Sequence, residues 1–301
     1  DQLGYLKQTV GIGLAPFSQT TSGSLSLGTG GLGDVIDVTG RSFQRTEISP
    51  NVWRRYNTAV AADSAGNFVP SDISGLVAWW DPSDSSTVTL SGSDVTAITN
   101  KVNGGKTLVT YENSPSIATA SLNRKDVLAF ATDDGLHTNG LLTDAGAVTM
   151  FFVYDAQNVT KAVMFHESNA DYASVFQESQ TSNSTVDQTS GIPQYHVDGA
   201  FVGITGGNPA SITRGGWHDI ISNGTGWHII GGVGYNFSAW SQDFRVFNFA
   251  GWETTGLLAD LIVYSSTLST SDRQKVEGYL AHKWGLIGNL PSDHPYKLYG
   301  P

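Results

Sequence analysis

Short apolar or alternating runs recur from residue 75 to the C-terminus, and Gly, Pro, Asn, Asp and Ser separate them. Such evenly spaced runs between turn residues predict an all-β chain folded as a sandwich or barrel. We assign strands to residues 76–80, 87–90, 95–98, 107–110, 127–130, 148–154, 162–165, 174–176, 194–197, 201–204, 227–231, 243–249 and 256–264.

One helix is predicted, over residues 271–284. Ser271 and Gln274 form a capping-box pattern, and Gly285 follows the last turn. Val276, Leu280 and Trp284 recur at helical spacing with Tyr279, so we expect Trp284 and Tyr279 to be buried against the sheet.

Residues 1–74 differ from the remainder. Residues 11–40 combine Gly, Ser and Thr with short apolar stretches and show no helical period. They are either a flexible linker or an arm that adds strands to a neighbour's sheet, and we favour the arm. The predicted organisation is an N-terminal arm, 1–74, followed by one domain, 75–301.

Basic and aromatic side chains alternate near the end of the arm. Single-stranded nucleic acid is one partner for such a pattern. Residues 1–75 hold five basic and six acidic residues, however, so a protein interface is favoured. The predicted attachment residues are Arg41, Arg45, Trp53, Arg54, Arg55 and Tyr56.

Charge and composition narrow the function. The 301 residues carry a formal net charge of -11, which disfavours binding to nucleic acid or to anionic lipid. The sequence has no apolar stretch long enough to span a bilayer and no visible signal peptide. It begins at Asp1, so we expect processing or cropping upstream. With no cysteine, disulfides and thiolate chemistry are excluded.

Three segments resemble a known module: residues 75–90 (GLVAWWDPSDSSTVTL), 123–136 (NRKDVLAFATDDGL) and 257–296, which contains LLADLIVYSSTLSTSDRQKVEGYLAHKWGL and LPSDHPY. They are similar to the concanavalin-A-like, or laminin-G-like, module of phage virion proteins and bacterial surface proteins. The resemblance implies a two-sheet antiparallel jelly-roll sandwich. It does not imply one function, because such sandwiches serve as lectins, glycanases and structural modules.

An enzyme is not expected. A retaining glycoside hydrolase, the least favoured alternative, needs two carboxyl groups about 5 Å apart, which residues two or four apart on a strand provide. Glu167 and Asp171 come nearest to this spacing, but the segment that contains them is predicted to be a turn. No such pair occurs among Glu47, Glu112, Glu167, Glu178, Glu253 and Glu277.

Calcium is the one cofactor that the residues suggest. Asp81 and Asp84 in a DPSD segment, and Asp133 and Asp134 in a TDDG turn, offer the oxygen ligands that Ca²⁺ prefers. Aspartate is also a common turn residue, and no complete calcium loop is present, so turn formation without a cofactor is favoured and calcium is the alternative.

A Gly-Trp-His unit occurs twice, at residues 216–218 and 226–228. We interpret the two units as hairpin strands that present Trp and His either to the core or to a surface groove. On a surface they would form a glycan platform made of Trp217, His218, Trp227, His228 and Trp240.

These features together suggest a non-enzymatic virion protein displayed on the surface of a phage particle, as a capsid decoration, head fibre or tail fibre. Its expected partners are the major capsid protein or tail proteins, other copies in a homo-oligomer such as a trimer, and host-surface glycans. A secreted or cell-surface carbohydrate-binding adhesin is the alternative.

Overall fold

The computed structural model describes residues 68–142, 145–157, 161–166, 174–179, 184, 190–204, 212–221, 226–238, 243–247 and 255–301, together with five short strands before them. The chain divides into two compact units, residues 1–68 with Pro301, and residues 69–300. The predicted boundary was residue 74. Residues 70–72 belong to the second unit because the Tyr264 hydroxyl donates a hydrogen bond to the Pro70 carbonyl, at 2.8 Å.

The described part of the first unit consists of two small antiparallel sheets. One pairs β1 (Ser18–Gln19) with β2 (Leu25–Ser26). The other has the order β3 (Val35–Val38), β4 (Arg41–Arg45) and β5 (Trp53–Arg54). Of the predicted attachment residues, Arg55 and Tyr56 lie outside the described residues, as do the side chains of Arg41, Arg45, Trp53 and Arg54.

The second unit contains the strands that the hydrophobic pattern predicts, with two additions. They are β6 (Leu76–Trp80), β7 (Val88–Ser91), β8 (Asp94–Ile98), β9 (Leu108–Glu112), β10 (Ser116–Leu122), β11 (Lys125–Phe130), β12 (Asp134–Asn139), β13 (Ala145–Ala156), β14 (Lys161–His166), β15 (Ser174–Ser179), β16 (Ser190–Val197), β17 (Ala200–Ile204), β18 (Trp227–Phe237), β19 (Asp243–Val246) and β20 (Gly256–Tyr264). β10 and β12 were not predicted from the sequence, and neither was a helix, α1 (Arg214–Ile221). The C-terminal helix, α2 (Thr270–Trp284), begins one residue before the predicted range and ends where predicted.

All strands of the second unit are hydrogen-bonded antiparallel, in the order β15-β14-β19-β12-β9-β8-β10-β11-β20-β13-β18-β16-β17. β7 pairs with β8, and β6 pairs with β20. Between β8 and β10 a single residue pair, Asp94 with Ser116, joins two halves. We call one half the front layer; it contains β15, β14, β19, β12, β9, β8 and β7. The other half is the back layer, and it contains β10, β11, β20, β13, β18, β16, β17 and β6.

Aromatic contacts show that the two layers pack face to face. Phe152 on β13 meets Phe165 on β14 and Phe176 on β15, with ring centroids 5.1 and 4.8 Å apart. These strands are far apart in the hydrogen-bonded order, so their rings meet only across a sandwich core. The prediction of an all-β two-sheet sandwich with a C-terminal helix is confirmed.

The helix α2 packs on the outer face of the back layer, against β13 and β18. Trp284 is fully buried as predicted, whereas Tyr279 is half-buried with its ring 5.9 Å from that of Trp79. Gly285 ends the helix in the left-handed conformation, with φ of 72°. Neither helix in the described part of the chain is long and apolar enough to cross a membrane.

The N-terminal cap of α2 differs from the predicted one. Ser269, not Ser271, caps the helix: its hydroxyl oxygen accepts a hydrogen bond from the Asp272 backbone N–H at 3.1 Å. Asp272 in turn binds Lys275 at 2.9 Å. The cap therefore lies two residues earlier than the predicted one.

We expect Ser269→Ala to lower the free energy of unfolding by about 1 kcal/mol, because one backbone N–H loses its acceptor. Ser271→Ala, at an exposed position in the first turn, is the matched control and is expected to change it by less than about 0.5 kcal/mol. Urea unfolding followed by tryptophan fluorescence measures both. A larger loss from Ser271→Ala than from Ser269→Ala would contradict this cap.

Candidate functional site

The first predicted calcium pair, Asp81 and Asp84, lies just after β6 and binds lysine. The Asp81 carboxylate lies 3.2 Å from the Lys101 ammonium and 2.8 Å from that of Lys283, and Asp84 lies 2.8 Å from Lys101. Burial opposes the ionisation of Asp81, but the charge and hydrogen bond of Lys283, with help from Ser83 and Lys101, lower its pKa below the ordinary value. These carboxylates therefore neutralise two ammonium groups.

The second pair, Asp133 and Asp134, shapes the turn before β12. Asp133 adopts a positive φ of 68°, and the Asp134 carboxylate accepts a hydrogen bond from the Ala131 backbone N–H at 2.7 Å. Burial, with the negative charges of Asp133 and Asp94, raises the pKa of Asp134. Within the described residues, no group of three or more His, Asp or Glu side chains is arranged to hold a metal ion. Asp133 and Asp134 therefore shape a turn and Asp81 and Asp84 form ion pairs with lysine, while calcium binding at either pair stays a prediction.

A buried carboxylate that the sequence analysis did not single out lies at the centre of the α2 interface. Asp260 on β20 is fully buried and accepts hydrogen bonds from the Trp79 indole at 2.9 Å, the Trp284 indole at 2.7 Å and the Lys283 ammonium at 2.6 Å. Burial, with the nearby charge of Asp81, raises the pKa of Asp260 to about 6, although Lys283 opposes the change. We call Asp260, Lys283, Asp81 and the two indoles the Asp260 network. Since Asp260 is sealed from solvent, its role is structural.

The first Gly-Trp-His unit is helical, so the predicted hairpin is wrong at this position. Trp217 and His218 lie on α1, which packs against β15. The Trp217 ring is fully buried, 5.6 Å from Phe176 and 5.5 Å from Tyr195. His218 is also buried, and neither side chain is available for the predicted glycan platform.

The second unit, Trp227 and His228, opens β18 as predicted. The His228 Nδ1 atom lies 2.6 Å from the carboxylate of Asp198, which also accepts a hydrogen bond from the Ile229 backbone N–H. Both Trp227 and His228 are half-buried. Trp240 lies outside the described residues, and so does the Glu167–Asp171 pair. Of the four platform residues that the structure describes, Trp227 and His228 are the two that remain partly exposed.

A different polar group lies on the outer face of the front layer. The strand register places Val109, His137 and Arg245 side by side on β9, β12 and β19. Their chain neighbours, such as Leu108, Leu136 and Val246, belong to the core. Because alternate residues of a strand point to opposite faces, the first three side chains point outward.

Tyr111 and Asp243 complete this group. The Arg245 guanidinium carbon lies 3.7 Å from the centroid of the Tyr111 ring, and the Arg245 Nε and Nη2 atoms lie 3.4 and 3.3 Å from Asp243 Oδ2. The His137 Nδ1 atom lies 3.3 Å from Asp243 Oδ1, and its ring centroid lies 5.4 Å from that of Tyr111. We call Tyr111, His137, Asp243 and Arg245 the Tyr111 cluster.

The sequence carried only a weak signal for the Tyr111 cluster. Asp243 and Arg245 alternate with Phe244 and Val246, which indicates a half-buried strand with two polar residues on its open face. Nothing in the sequence says that Tyr111 and His137 lie on the strands beside them.

A second polar cluster is buried under α2. The Arg273 guanidinium lies 2.5 Å from Glu277, and Glu277 lies 3.3 Å from the His294 Nε2 atom. His196 on β16 is also buried, and neither of its ring nitrogens has a hydrogen-bond partner in the described structure. Burial, with the positive charge of Arg273, lowers the pKa of His196 to about 4, while Glu277 opposes the change. This imidazole is therefore held neutral.

One cavity, of about 340 Å³, opens between the segment that leads into β6 and the segment that follows β8. It is lined by Ser71, Ser74, Trp79, Lys101 and Asn103 with apolar neighbours. The Lys101 ammonium lies 4.7 Å from the centroid of the Trp79 ring and already pairs with two aspartates. The cavity therefore offers a ligand neither an open ring face nor an uncompensated charge.

No family model and no curated protein matches the chain. Among solved structures, Trypanosoma rangeli sialidase in complex with sialic acid is 11% identical over 84% of this chain and 44% of its own, with a TM-score of 0.39. A second structure of that sialidase gives 10% identity, the same coverage and a TM-score of 0.41. Domain 4 of AbnA, a GH43 extracellular arabinanase from Geobacillus stearothermophilus, in complex with arabinotriose, is 12% identical over 65% of this chain and 95% of its own, with a TM-score of 0.37. The chain spans less than half of each sialidase chain.

The expectation that the chain is not an enzyme is corrected by these matches, which are a sialidase and a domain of an arabinanase. It was inferred from the absence of closely spaced carboxylates along single strands. That criterion is too narrow, because a fold also brings together carboxylates from distant strands. At these identities and TM-scores the likeness assigns no reaction and no substrate to the chain.

Proposed function

We propose that the chain is a structural component of a phage particle, a capsid decoration, head fibre or tail fibre, with its sandwich displayed on the surface. The observation that carries this proposal is the division into two units, one of them a sandwich with its own core. A module with a self-contained core needs no neighbour for its stability, so a separate N-terminal unit is free to serve attachment.

Two further features support the proposal. Segments 75–90, 123–136 and 257–296 resemble modules of phage virion proteins. The N-terminal residues combine strand-forming segments with Arg and aromatic side chains, which suit a protein interface with the major capsid protein or a tail protein. Attachment sites on particles are symmetric, so we infer that the chain is displayed as a homo-oligomer such as a trimer.

Particle attachment is tested with particles purified from a phage that lacks the gene for this chain. We expect the full chain to co-sediment with them and residues 69–301 alone to remain in the supernatant, because the attaching segment is lost. Circular dichroism and thermal melting of the truncated chain verify that the sandwich is folded. Equal co-sedimentation of both proteins, or absence of the protein from wild-type particles, overturns the proposal.

A secreted or cell-surface adhesin that binds carbohydrate is the second candidate. The observation that favours it is the Tyr111 cluster, in which aromatic, cationic and carboxylate side chains share one outward face. Immunoelectron microscopy with an antibody against the sandwich separates the two candidates, because it labels either intact particles or a cell surface.

A further inference from the structure

Three polar atoms of the Tyr111 cluster have no hydrogen-bond partner among the described residues. They are the Tyr111 hydroxyl, the His137 Nε2 atom and the Arg245 Nη1 atom, since His137 bonds to Asp243 through Nδ1 and Arg245 bonds to it through Nε and Nη2. The side chains of His137 and Arg245 remain 23% and 14% exposed, so the Tyr111 cluster is partly open to solvent.

The proton positions follow from Asp243. A carboxylate accepts hydrogen bonds, so the proton of the His137 imidazole lies on Nδ1, toward Asp243. In the neutral ring Nε2 is then an acceptor, whereas Arg245 Nη1 is a donor and the Tyr111 hydroxyl is both. A ligand that fits must offer donors and acceptors side by side. Vicinal hydroxyl groups do this, because each donates one hydrogen bond and accepts others.

The cluster is held in place before any ligand arrives. Asp243 binds His137 and Arg245 together, and the Tyr111 ring supports the guanidinium from below at 3.7 Å. Such pre-organisation reduces the entropy that is lost on binding. Val109, paired with His137 in the register, is 40% exposed and gives the apolar C–H face of a sugar ring a surface to contact.

The charge of the site favours a neutral ligand. Asp243 balances the charge of Arg245 within the cluster, and the chain as a whole carries -11. An acidic saccharide meets no net positive field here. We propose that the Tyr111 cluster binds a neutral saccharide through two adjacent hydroxyl groups, at a surface distinct from Trp227 and His228. Its biological setting rests on the proposed display of the sandwich, where it faces the host surface.

The experiment applies the labelled full chain to an immobilised panel of neutral and acidic oligosaccharides, followed by calorimetry with the strongest neutral binder. Tyr111→Phe removes one hydroxyl and keeps the ring under Arg245, and His137→Phe removes the acceptor. We expect each variant to weaken binding about five- to thirtyfold, the loss of one hydrogen bond that leaves a polar partner unmatched.

Tyr299→Phe is the matched control, since it removes a phenol from the C-terminal tail and is expected to leave the affinity unchanged. Thermal melting confirms that all variants are folded. The proposal is overturned by silence on every neutral saccharide at millimolar concentration, by binding of acidic saccharides alone, or by variants that bind as the wild type does. Particle attachment is measured without saccharide, so either proposal can fail alone.

Discussion

Asp260→Ala is expected to lower the free energy of unfolding by about 3–5 kcal/mol, the loss that follows when one partner of a buried ion pair is removed. The carboxylate accepts hydrogen bonds from the Trp79 indole, the Trp284 indole and the Lys283 ammonium, and no solvent reaches it. Alanine leaves both indole N–H groups without an acceptor and leaves Lys283 with Asp81 alone. Urea unfolding followed by tryptophan fluorescence measures the loss.

Asp293→Ala is the matched control, because Asp293 is an exposed aspartate of the C-terminal tail, and its effect is expected to stay below about 0.5 kcal/mol. Asp260→Asn retains the side-chain volume and one acceptor oxygen, so its loss of unfolding free energy should lie between those of Asp293→Ala and Asp260→Ala. A loss below about 1 kcal/mol for Asp260→Ala would show that the Asp260 network does not stabilise the helix on the sheet.

Lys283→Met tests the same network through pH. The pKa of Asp260 is raised to about 6 by burial even with the ammonium in place, and removing that ammonium raises the pKa further. A raised pKa means that the folded state takes up the proton more readily than the unfolded state, so stability falls as pH rises through the folded pKa. Lys283→Met should therefore be more destabilising at pH 8 than at pH 5, and an equal loss at both values would contradict this account.

The strands that could be predicted are those whose side chains alternate strongly or are apolar throughout. β6, β13 and β20 were found because their residues fill the core or the helix interface. β10 was missed because Ser, Ala and Thr dominate it and its residues are half-buried or exposed. α1 was missed because two glycines precede Trp217 and disguise a helix whose stability comes from the packing of that tryptophan.

β18 shows why element ends are difficult to predict. The predicted strand stops at Gly231, but β18 continues to Phe237. A Cβ at Gly232 would lie 2.4 Å from the Tyr235 ring and 2.7 Å from that of Phe176, so glycine here serves close packing and does not mark a turn. Only the folded structure shows which rings lie over that backbone.

The sites were harder to predict than the fold, because each joins residues that are distant in sequence. Asp260 interrupts an apolar run, which indicates that its carboxylate is buried with a hydrogen-bonding partner. The run does not show that the partners are Lys283 and two indoles. The Tyr111 cluster depends on the register of β9, β12 and β19. The sequence-based site prediction relied on local repeats, and one of its two Trp-His units turned out to be helical.

The second large effect is expected in acid, where His196 destabilises the fold. Its imidazole is 5% exposed, neither nitrogen has a partner in the described structure, and its ring packs 5.6 Å from Phe201. The charged groups of α2 that act on it are Arg273 and Glu277, and Glu277 also lies 3.3 Å from the His294 Nε2 atom. Protonation therefore places a cation in a buried site that already contains Arg273.

The sign of the pH effect follows from the lowered pKa. His196 has a pKa of about 4 in the folded state, below the value of 6.5 in the unfolded chain. The unfolded state thus binds the proton first, so stability is fully present above pH 6.5 and declines as pH falls toward 4. The expected loss at pH 4 is about 3 kcal/mol, because the two pKa values differ by about 2.5 units. Unfolding in urea at intervals from pH 7.5 to pH 4 measures it.

His196→Phe separates this group from the other titrating side chains, since phenylalanine fills a similar volume beside Phe201 and takes up no proton. The variant should lose most of the decline between pH 6.5 and pH 4. Phe201→Leu is the packing control, because it weakens the same ring contact at every pH. It should retain the decline in the free energy of unfolding between pH 6.5 and pH 4. If the decline persists unchanged in His196→Phe, other groups cause it. If it disappears, this buried imidazole makes the contact between the sheet and its C-terminal helix sensitive to acid.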